Sequence, residues 1–362
     1  MRVHLLGVPN TQTTRAYYLD GFAMMTLRFA EVLQRLGHEV WLYGAEANEA
    51  PCARFISVLT AAEQAAFIGE TPYQTVPFDV GTPLFLTFNS RAAAYLQSHK
   101  QPGDVLATIC GSAQMPVWNQ NPDLRFLEYS IGYRGACAPY RVYQSHVWRH
   151  VVHGFTGLDG GRECDAVIPP FYDVAEFPCG TDPDDYVIYC GRVVPRKGLA
   201  TVCAAAQAAG VRLVVIGPGD PSILTYGEYM GTPPPEERNR LLAGAKALLM
   251  PTQYIEPFGN VSAEAQLCGT PVISTDYGAF VETVDHGRTG FRCTYLGEYV
   301  QAIQQADQLD RPAIRDRAVR LWSLETAVAA YRKYFHRLDL EHGEGWPSLA
   351  PAVDPVFQGV YA

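Results

Sequence analysis

Nine consecutive residues, Glu256-Pro257-Phe258-Gly259-Asn260-Val261-Ser262-Ala263-Glu264, hold the sharpest chemistry in this sequence. They follow an apolar run that reads as a strand and open a run that reads as a helix. The first N–H groups of a helix have no partner and sit at the positive end of its dipole. An anionic diphosphate is the natural guest of such a place. Gly259 has no side chain to block a close approach. Glu256 lies before the helix and Glu264 about a turn inside it, so the two carboxylates reach different parts of one ligand. A carboxylate accepts hydrogen bonds well from paired sugar hydroxyls. The same residue types also describe a capped helix with two solvated glutamates.

A second segment, Gly191-Arg192-Val193-Val194-Pro195-Arg196-Lys197-Gly198, directly follows another strand-like run. Arg192 and Lys197 are cations at a strand's carboxyl end, where charge neutralisation of a departing phosphate gives most. An ordinary basic loop would read the same way. Gly217-Pro218-Gly219 is the third piece. It lacks the third glycine and the downstream acid of a dinucleotide fingerprint, which argues against NAD.

These segments need a scaffold, and the surrounding sequence supplies one. Val3–Gly7 reads as a strand. Met25, Phe29, Val32 and Leu36 then recur at helical spacing up to Gly37, and Val40–Tyr43 reads as the next strand. Further on, Tyr186–Cys190, Val211–Ile216, Ala247–Met250 and Pro271–Thr275 read as strands. They alternate with helices over Leu199–Ala209, about 236–245 and Val261–Cys268. Such βαβ units build parallel sheets. The middle of the chain is less regular: Val105–Ile109 reads as a strand, Arg141–Val152 as a helix, and the run from Ala166 as a strand that ends at Pro169 and Pro170. Cys179–Asp185 is polar and turn-rich, a domain linker. The expected fold is therefore α/β, two doubly wound Rossmann-like parallel-sheet domains facing across a cleft. The expected boundaries are 1–180 and 181–334, with about 335–362 returning to the first domain. In such sheets ligands bind beyond the carboxyl ends of the strands.

Composition bounds the partners. The 362 residues carry a net charge of −9, split as 12 basic against 16 acidic up to residue 180 and 16 against 21 beyond it. Neither half has the basic excess that nucleic acid or an anionic membrane calls for. Nine cysteines at scattered spacings include no Cys-x-x-Cys, which points away from a zinc ribbon and towards a reducing, cytoplasmic location. Cys190, Cys203 and Cys268 read as buried thiols. The opening apolar run is too short for a signal peptide, and no window has the roughly 20 apolar residues of a membrane span.

In order and spacing, these pieces resemble the retaining GT-B glycosyltransferases of glycosyltransferase family 4. The likeness is carried by YVIYCGRVVPRKGL, VRLVVIGPG and ALLMPTQYIEPFGNVSAEAQLCGTPVISTDYGAFVETVDHGRTGF over about 186–293, with Glu-x(7)-Glu followed by Gly-Thr-Pro-Val as its most specific feature. The amino-terminal half matches more loosely, through its first βαβ unit and VIPPFYDVAEF. The resemblance implies a catalytic set of Glu256, Arg192 and Lys197. Arg192 and Lys197 would hold the donor diphosphate, and Glu256 the hydroxyls of the donor sugar. The amides of Phe258, Gly259 and Asn260 would line sugar and phosphate, with Val261 behind them, and Glu264 would bind ribose. Gly191, Gly217 and Gly219 would complete the donor loops, and the base would pack near Tyr229 and Met230. No cofactor or metal is implied; a nucleoside-diphosphate sugar is the substrate. Its partner would be a small-molecule, glycan or lipid-linked acceptor.

Three positions depart from the family pattern. The first loop, TQTTRAYYLDGF, offers only Gly21 where a Gly-Gly pair is usual. CGSAQ follows Ile109 where many members have a histidine. Asn260 stands where an apolar residue is common. On the acceptor side the candidates are Thr13 and Arg15 in that first loop, Glu128 in LEYSIGYRG, and His150. His146, His150 and His153 share a helical face, but no acidic fourth ligand or HExxH pattern accompanies them. Asp182-Pro183-Asp184-Asp185 lies in the linker and reads as a turn. Tyr331, Tyr334 and Phe335 read as the packing face of a late helix, over Trp322–Leu338, that crosses back to the first domain. The expected activity is retaining transfer of a hexose-type sugar. Its rivals are another GT-B enzyme, an epimerase or a phosphorylase, and a catalytically silent nucleotide-sugar-binding protein.

Overall fold

The computed structural model describes residues 1–158, 162 and 164–343. Two parallel sheets organise it. The first has seven strands: β1 (Arg2–Leu6), β2 (Glu39–Ala45), β3 (Arg54–Leu59), β4 (Val105–Thr108), β5 (Arg125–Ile131), β6 (Tyr140–Tyr143) and β7 (Asp165–Val167), in the order β3-β2-β1-β4-β5-β6-β7. The second has six: β8 (Tyr186–Cys190), β9 (Arg212–Ile216), β10 (Glu228–Tyr229), β11 (Ala247–Met250), β12 (Val272–Thr275) and β13 (Gly290–Cys293), in the order β10-β9-β8-β11-β12-β13. Helices cover both faces of each sheet, so the central strands are near-continuous apolar runs; β8, YVIYC, is buried at every residue.

Each sheet reverses its strand order once, between β1 and β4 and between β8 and β11. A crevice opens beyond the carboxyl ends at such a switch point. The chain segments that leave those ends are the loop after β1, the Gly191 loop after β8 and the Glu256 loop after β11. The architecture thus brings together segments that lie far apart in sequence.

The halves are stitched where the chain crosses between them. Tyr172 N–H donates to the Trp322 carbonyl at 2.9 Å, and Leu324 N–H donates to the Tyr172 carbonyl at 3.0 Å. The helix Leu324–Gly343 then lays Leu324, Ala327, Tyr331, Tyr334, Phe335 and Leu338 into the hydrophobic core of the first sheet. The crossing thus begins at 324; residues 344–362, the rest of the expected returning tail, lie outside the described residues.

The expected helix over Arg141–Val152 is a correction. Tyr140–Tyr143 is a strand paired with β5 and β7, and the helix is His146–Phe155. Two tyrosines and a valine among its four residues favour the sheet here. Ser145 then starts the helix, its hydroxyl accepting from the Trp148 N–H at 3.0 Å. Among the described residues no helix is long and apolar enough to cross a membrane.

Candidate active site

The Glu256 loop is built to expose its backbone. Gly259 caps the helix Asn260–Leu267 at φ +83°, in the left-handed region that glycine tolerates best. Phe258 turns its ring into the core, edge-on to Trp322 at 5.8 Å. Its side chain anchors the loop and only its backbone is left for the cleft. Among the described residues the amides of Phe258, Gly259 and Asn260 meet no acceptor, as the start of a helix requires unless a ligand or water supplies one. Val261 packs partly buried against the second domain's core. Gly278 backs the loop: a Cβ there would lie 2.8 Å from the Glu256 nitrogen.

The charged residues converge in two pairs. Lys197 Nζ lies 2.8 Å from Glu256 Oε2, with both side chains largely buried. Burial alone would lower the Lys197 pKa, but the Glu256 carboxylate and Tyr254 outweigh it and the net shift is upward, so the ammonium is held charged. Tyr254 lies under this group, its ring centroid 4.9 Å from Lys197 Nζ and 4.2 Å from Arg196 Cζ. Arg238 and Glu264 form the second pair, also largely buried. Here too burial opposes the guanidinium charge and Glu264 more than restores it. Arg192 differs: it is exposed, and among the described residues it has no ion pair. Its carbonyl accepts from Tyr189 Oη at 2.6 Å, which ties the Arg192 turn to β8.

Gly217 and Gly219 have a structural duty. A Cβ on Gly217 would meet the Gly191 carbonyl at 2.1 Å, and one on Gly219 the Val193 carbonyl at 2.5 Å. Only glycines allow the loops after β8 and β9 to pack this closely. Tyr229 Oη donates to the Gly217 carbonyl at 2.8 Å, and Met230, beside it, is exposed. The loops after β8, β9, β10 and β11 that carry the donor-side candidates are therefore tied to one another.

The first domain meets this surface at several points. Gly21 starts the helix Gly21–Arg35, and a Cβ there would lie 3.8 Å from Asn260 Nδ2. Two helix amino termini thus meet here. Tyr172, at the chain crossing with its ring in the second domain's core, donates its Oη to Asn260 Oδ1 at 3.0 Å, so the polar residue at this unusual position has a defined partner. Ser145 Oγ donates to the Pro257 carbonyl at 2.6 Å. The Glu282 carboxylate accepts from the His146 and Val147 amides at 3.0 and 2.6 Å, so a side chain of the second domain caps a helix of the first.

The acceptor-side candidates do not assemble. Glu128 is a correction: it is wholly buried in β5, where it accepts from Tyr133 Oη at 2.8 Å and from the Cys137 and Ala138 amides at 2.8 and 3.0 Å. Burial pushes its pKa up against those hydrogen bonds. It secures the 133–138 loop and touches no cleft. Thr13 is also buried, bridging to Asn48. Arg15 is exposed and pairs with Glu176 at 2.8 Å across the domain junction. His150 is exposed on its helix, whereas His153 is buried against Asp165 at 2.8 Å, so the histidine face is split. Among the described residues no group of side chains has the makings of a metal site. The sequence reading missed Arg238, Tyr254, Tyr172, Ser145 and Glu282. Only Ser145 carried a local signal, a serine one residue before a helix.

Several known proteins are similar to this chain in sequence or in fold. The glycosyl transferases group 1 model matches residues 184–307. Glycogen synthase of Xanthomonas campestris pv. campestris is 34% identical over 157 residues, which is 39% of this chain and 31% of that protein, so the chain spans about a third of this relative's length. Among solved structures, AviGT4, a glycosyltransferase involved in avilamycin A biosynthesis, superposes with TM-score 0.68 at 23% identity over 93% of this chain and 98% of its own. Anabaena HepE, solved in complex with UDP and glucose, does so with TM-score 0.62 at 15% identity over 93% of this chain and 100% of its own. Residues 184–307 thus match the glycosyl transferases group 1 family model, carried on a GT-B fold of two facing parallel-sheet domains.

Proposed function

We propose that this protein is a retaining glycosyltransferase that moves a hexose-type sugar from a nucleoside-diphosphate sugar to an acceptor with a free hydroxyl. The observation that carries the reading is the meeting of Lys197, Glu256 and the unpaired Phe258–Asn260 amides at one helix start, opposite the helix start at Gly21. HepE, of the same fold, is known with UDP and glucose bound, which supports a nucleotide-sugar donor.

In this reading the diphosphate lies between the two helix starts, and Arg192 and Lys197 neutralise it. That charge grows as the bond from the anomeric carbon to phosphate oxygen breaks, so groups fixed there in advance lower the barrier. Charge neutralisation is assigned to these side chains and amides, and neither a metal nor a cofactor enters the scheme. Glu256 accepts from the sugar's hydroxyls, exchanging part of its bond to Lys197 for bonds to substrate. Glu264, held by Arg238, accepts from ribose. The acceptor oxygen attacks the anomeric carbon from the face the phosphate leaves, and its proton passes to the departing phosphate oxygen. Retention follows from that shared face.

The test is a donor panel of UDP-, GDP-, ADP- and dTDP-hexoses, with thermal shift and nucleoside diphosphate release recorded for wild type and Glu256→Ala. Stabilisation by one donor, with slow release that Glu256→Ala abolishes, is expected. Stabilisation without release in the presence of varied acceptors would favour a binding-only protein. Lack of stabilisation by every donor would overturn the site.

A further inference from the structure

A second concavity of about 430 Å³ opens beyond the carboxyl ends of β11 and β12, between the helices Leu199–Ala209 and Leu296–Gln305. Its size lies within the roughly 300–1,000 Å³ range of small-ligand sites. The first helix faces it with Ala200, Thr201 and Ala204, whose short side chains leave the gap open. The ends of β11 and β12 contribute Gln253 and Tyr277. Thr294 and Tyr299 complete it from the other side.

Three properties of this lining select its ligand. It contains no charged residue, so nothing in it rewards an anion such as a phosphate or nucleotide. It offers neutral polar groups: Thr201, Gln253 and Thr294 present solvent-accessible side chains, and Tyr299, only 2% exposed, has a buried hydroxyl with no partner among the described residues. A buried polar group left unpaired is costly, so an unpaired hydroxyl at a groove marks a place where a ligand is expected to bond. Tyr277 supplies a flat apolar surface, 41% exposed and fixed by its hydroxyl's 2.6 Å bond to the Thr252 carbonyl. Neutral donors and acceptors beside an aromatic face match a molecule that carries hydroxyls around its edge and C–H groups on its faces.

We propose that this groove is a second carbohydrate-binding site, one that takes a short neutral saccharide. It is separate from the donor surface, since neither Lys197, Glu256 nor Glu264 lines it. It stands on the lining alone and does not require the transferase reading. In a chain that does transfer sugars, such a site would hold a remote part of a glycan near the enzyme and raise its effective concentration.

The probes are maltose and cellobiose, titrated without nucleotide into the full chain and followed by saturation-transfer NMR and calorimetry. At least one is expected to bind in the millimolar range. Ala200→Trp puts an indole into the groove from an exposed helix position and should weaken that binding by about tenfold or more. Tyr299→Phe keeps the ring, removes the unpartnered hydroxyl and should weaken it about fivefold. The thermal shift given by nucleoside diphosphate should be unchanged in both, which separates failure of this site from failure of the donor site. If neither disaccharide binds wild type, if both variants bind as wild type does, or if inorganic phosphate competes with the sugar, the proposal is overturned. Should Ala200→Trp lower the yield of folded protein, Tyr299→Phe decides alone.

Discussion

The two sheets share a plan, yet they keep their ionisable groups in different places. In the first domain His4, Asp104, Glu128, Asp165 and His153 are buried and bonded to their own domain: His4 lies between Tyr43 Oη at 2.9 Å and Asp104 at 3.0 Å, and Glu128 fastens a loop. In the second domain Lys197 pairs with Glu256 between the loops that follow β8 and β11, and Arg238 pairs with Glu264 between the helices Pro235–Gly244 and Asn260–Leu267. A charge bonded inside its own domain stabilises a fold. A pair in loops beyond the strands, such as Lys197 with Glu256, can exchange partners with a ligand.

The strongest way to break this contrast is Glu264→Ala. It strands the largely buried Arg238 guanidinium, and removal of one partner of a buried pair costs about 3–5 kcal/mol. Urea unfolding followed by tryptophan fluorescence should show that loss, and replacing both residues with Leu and Met should recover most of it. A single variant as stable as wild type would show that the pair is not integral to the domain. Arg192→Ala should behave in the opposite way. The side chain is exposed and has no ion pair among the described residues, so stability should change by no more than about 0.5 kcal/mol. Turnover, read as nucleoside diphosphate release, should fall about 10²–10³-fold. A fall in stability with intact turnover would move Arg192 out of the site.

Acid sharpens the comparison from the other side. Burial lowers the His38 pKa from 6.5 to about 4, and burial also lowers that of His4 against the opposing pull of Asp104. Both are harder to protonate folded than unfolded. Below about pH 6.5 the unfolded chain therefore binds more protons, and stability present above that pH is lost as pH falls towards 4. His38 packs edge-on to Phe335 at 4.8 Å, so the loss should centre on docking of the helix Leu324–Gly343. His38→Gln should flatten the pH dependence of the melting temperature by an amount worth about 1–2 kcal/mol; an unchanged slope would acquit His38. The smallest effect belongs to Arg15→Ala. Its pair with Glu176 is largely exposed and should contribute less than about 1 kcal/mol, vanishing in high salt. A larger loss would mean that this pair governs the junction.

The second domain was the more legible in the sequence. Its strands are short, unbroken apolar runs, and its helices end at glycines, so Leu199–Ala209 and Ala247–Met250 follow directly from the residues. The first domain hides more. Tyr140–Tyr143 mixes aromatic and charged residues and takes its state from its neighbours in the sheet. The helix Pro83–His99 went unread although Thr82 caps it and Pro83 opens it. In the site, the two glutamates and the Arg192–Lys197 loop are local motifs and were visible. Their supports were not: Arg238 stands 26 residues from Glu264, and Glu282 stands 136 from the His146 amide it caps. Such partners come from the fold and leave no local spacing to read. Glu128 misled for a related reason, because a glutamate in an apolar strand looks available until the amides that bind it are seen.

The returning helix also sets an order of events during synthesis. Leu324, Tyr331 and Phe335 belong to the core of a domain whose sheet is complete at Val167, roughly 150 residues earlier in the chain. At translation rates of about 5–20 residues per second, that sheet waits on the order of ten seconds or more for its last wall. Throughout that interval the ribosome is producing the second domain, which has its own core and can close first. The half that emerges earlier is therefore expected to mature later, and a chaperone that shields the apolar seat of Tyr331 and Phe335 would act on a nascent chain whose second domain is already formed.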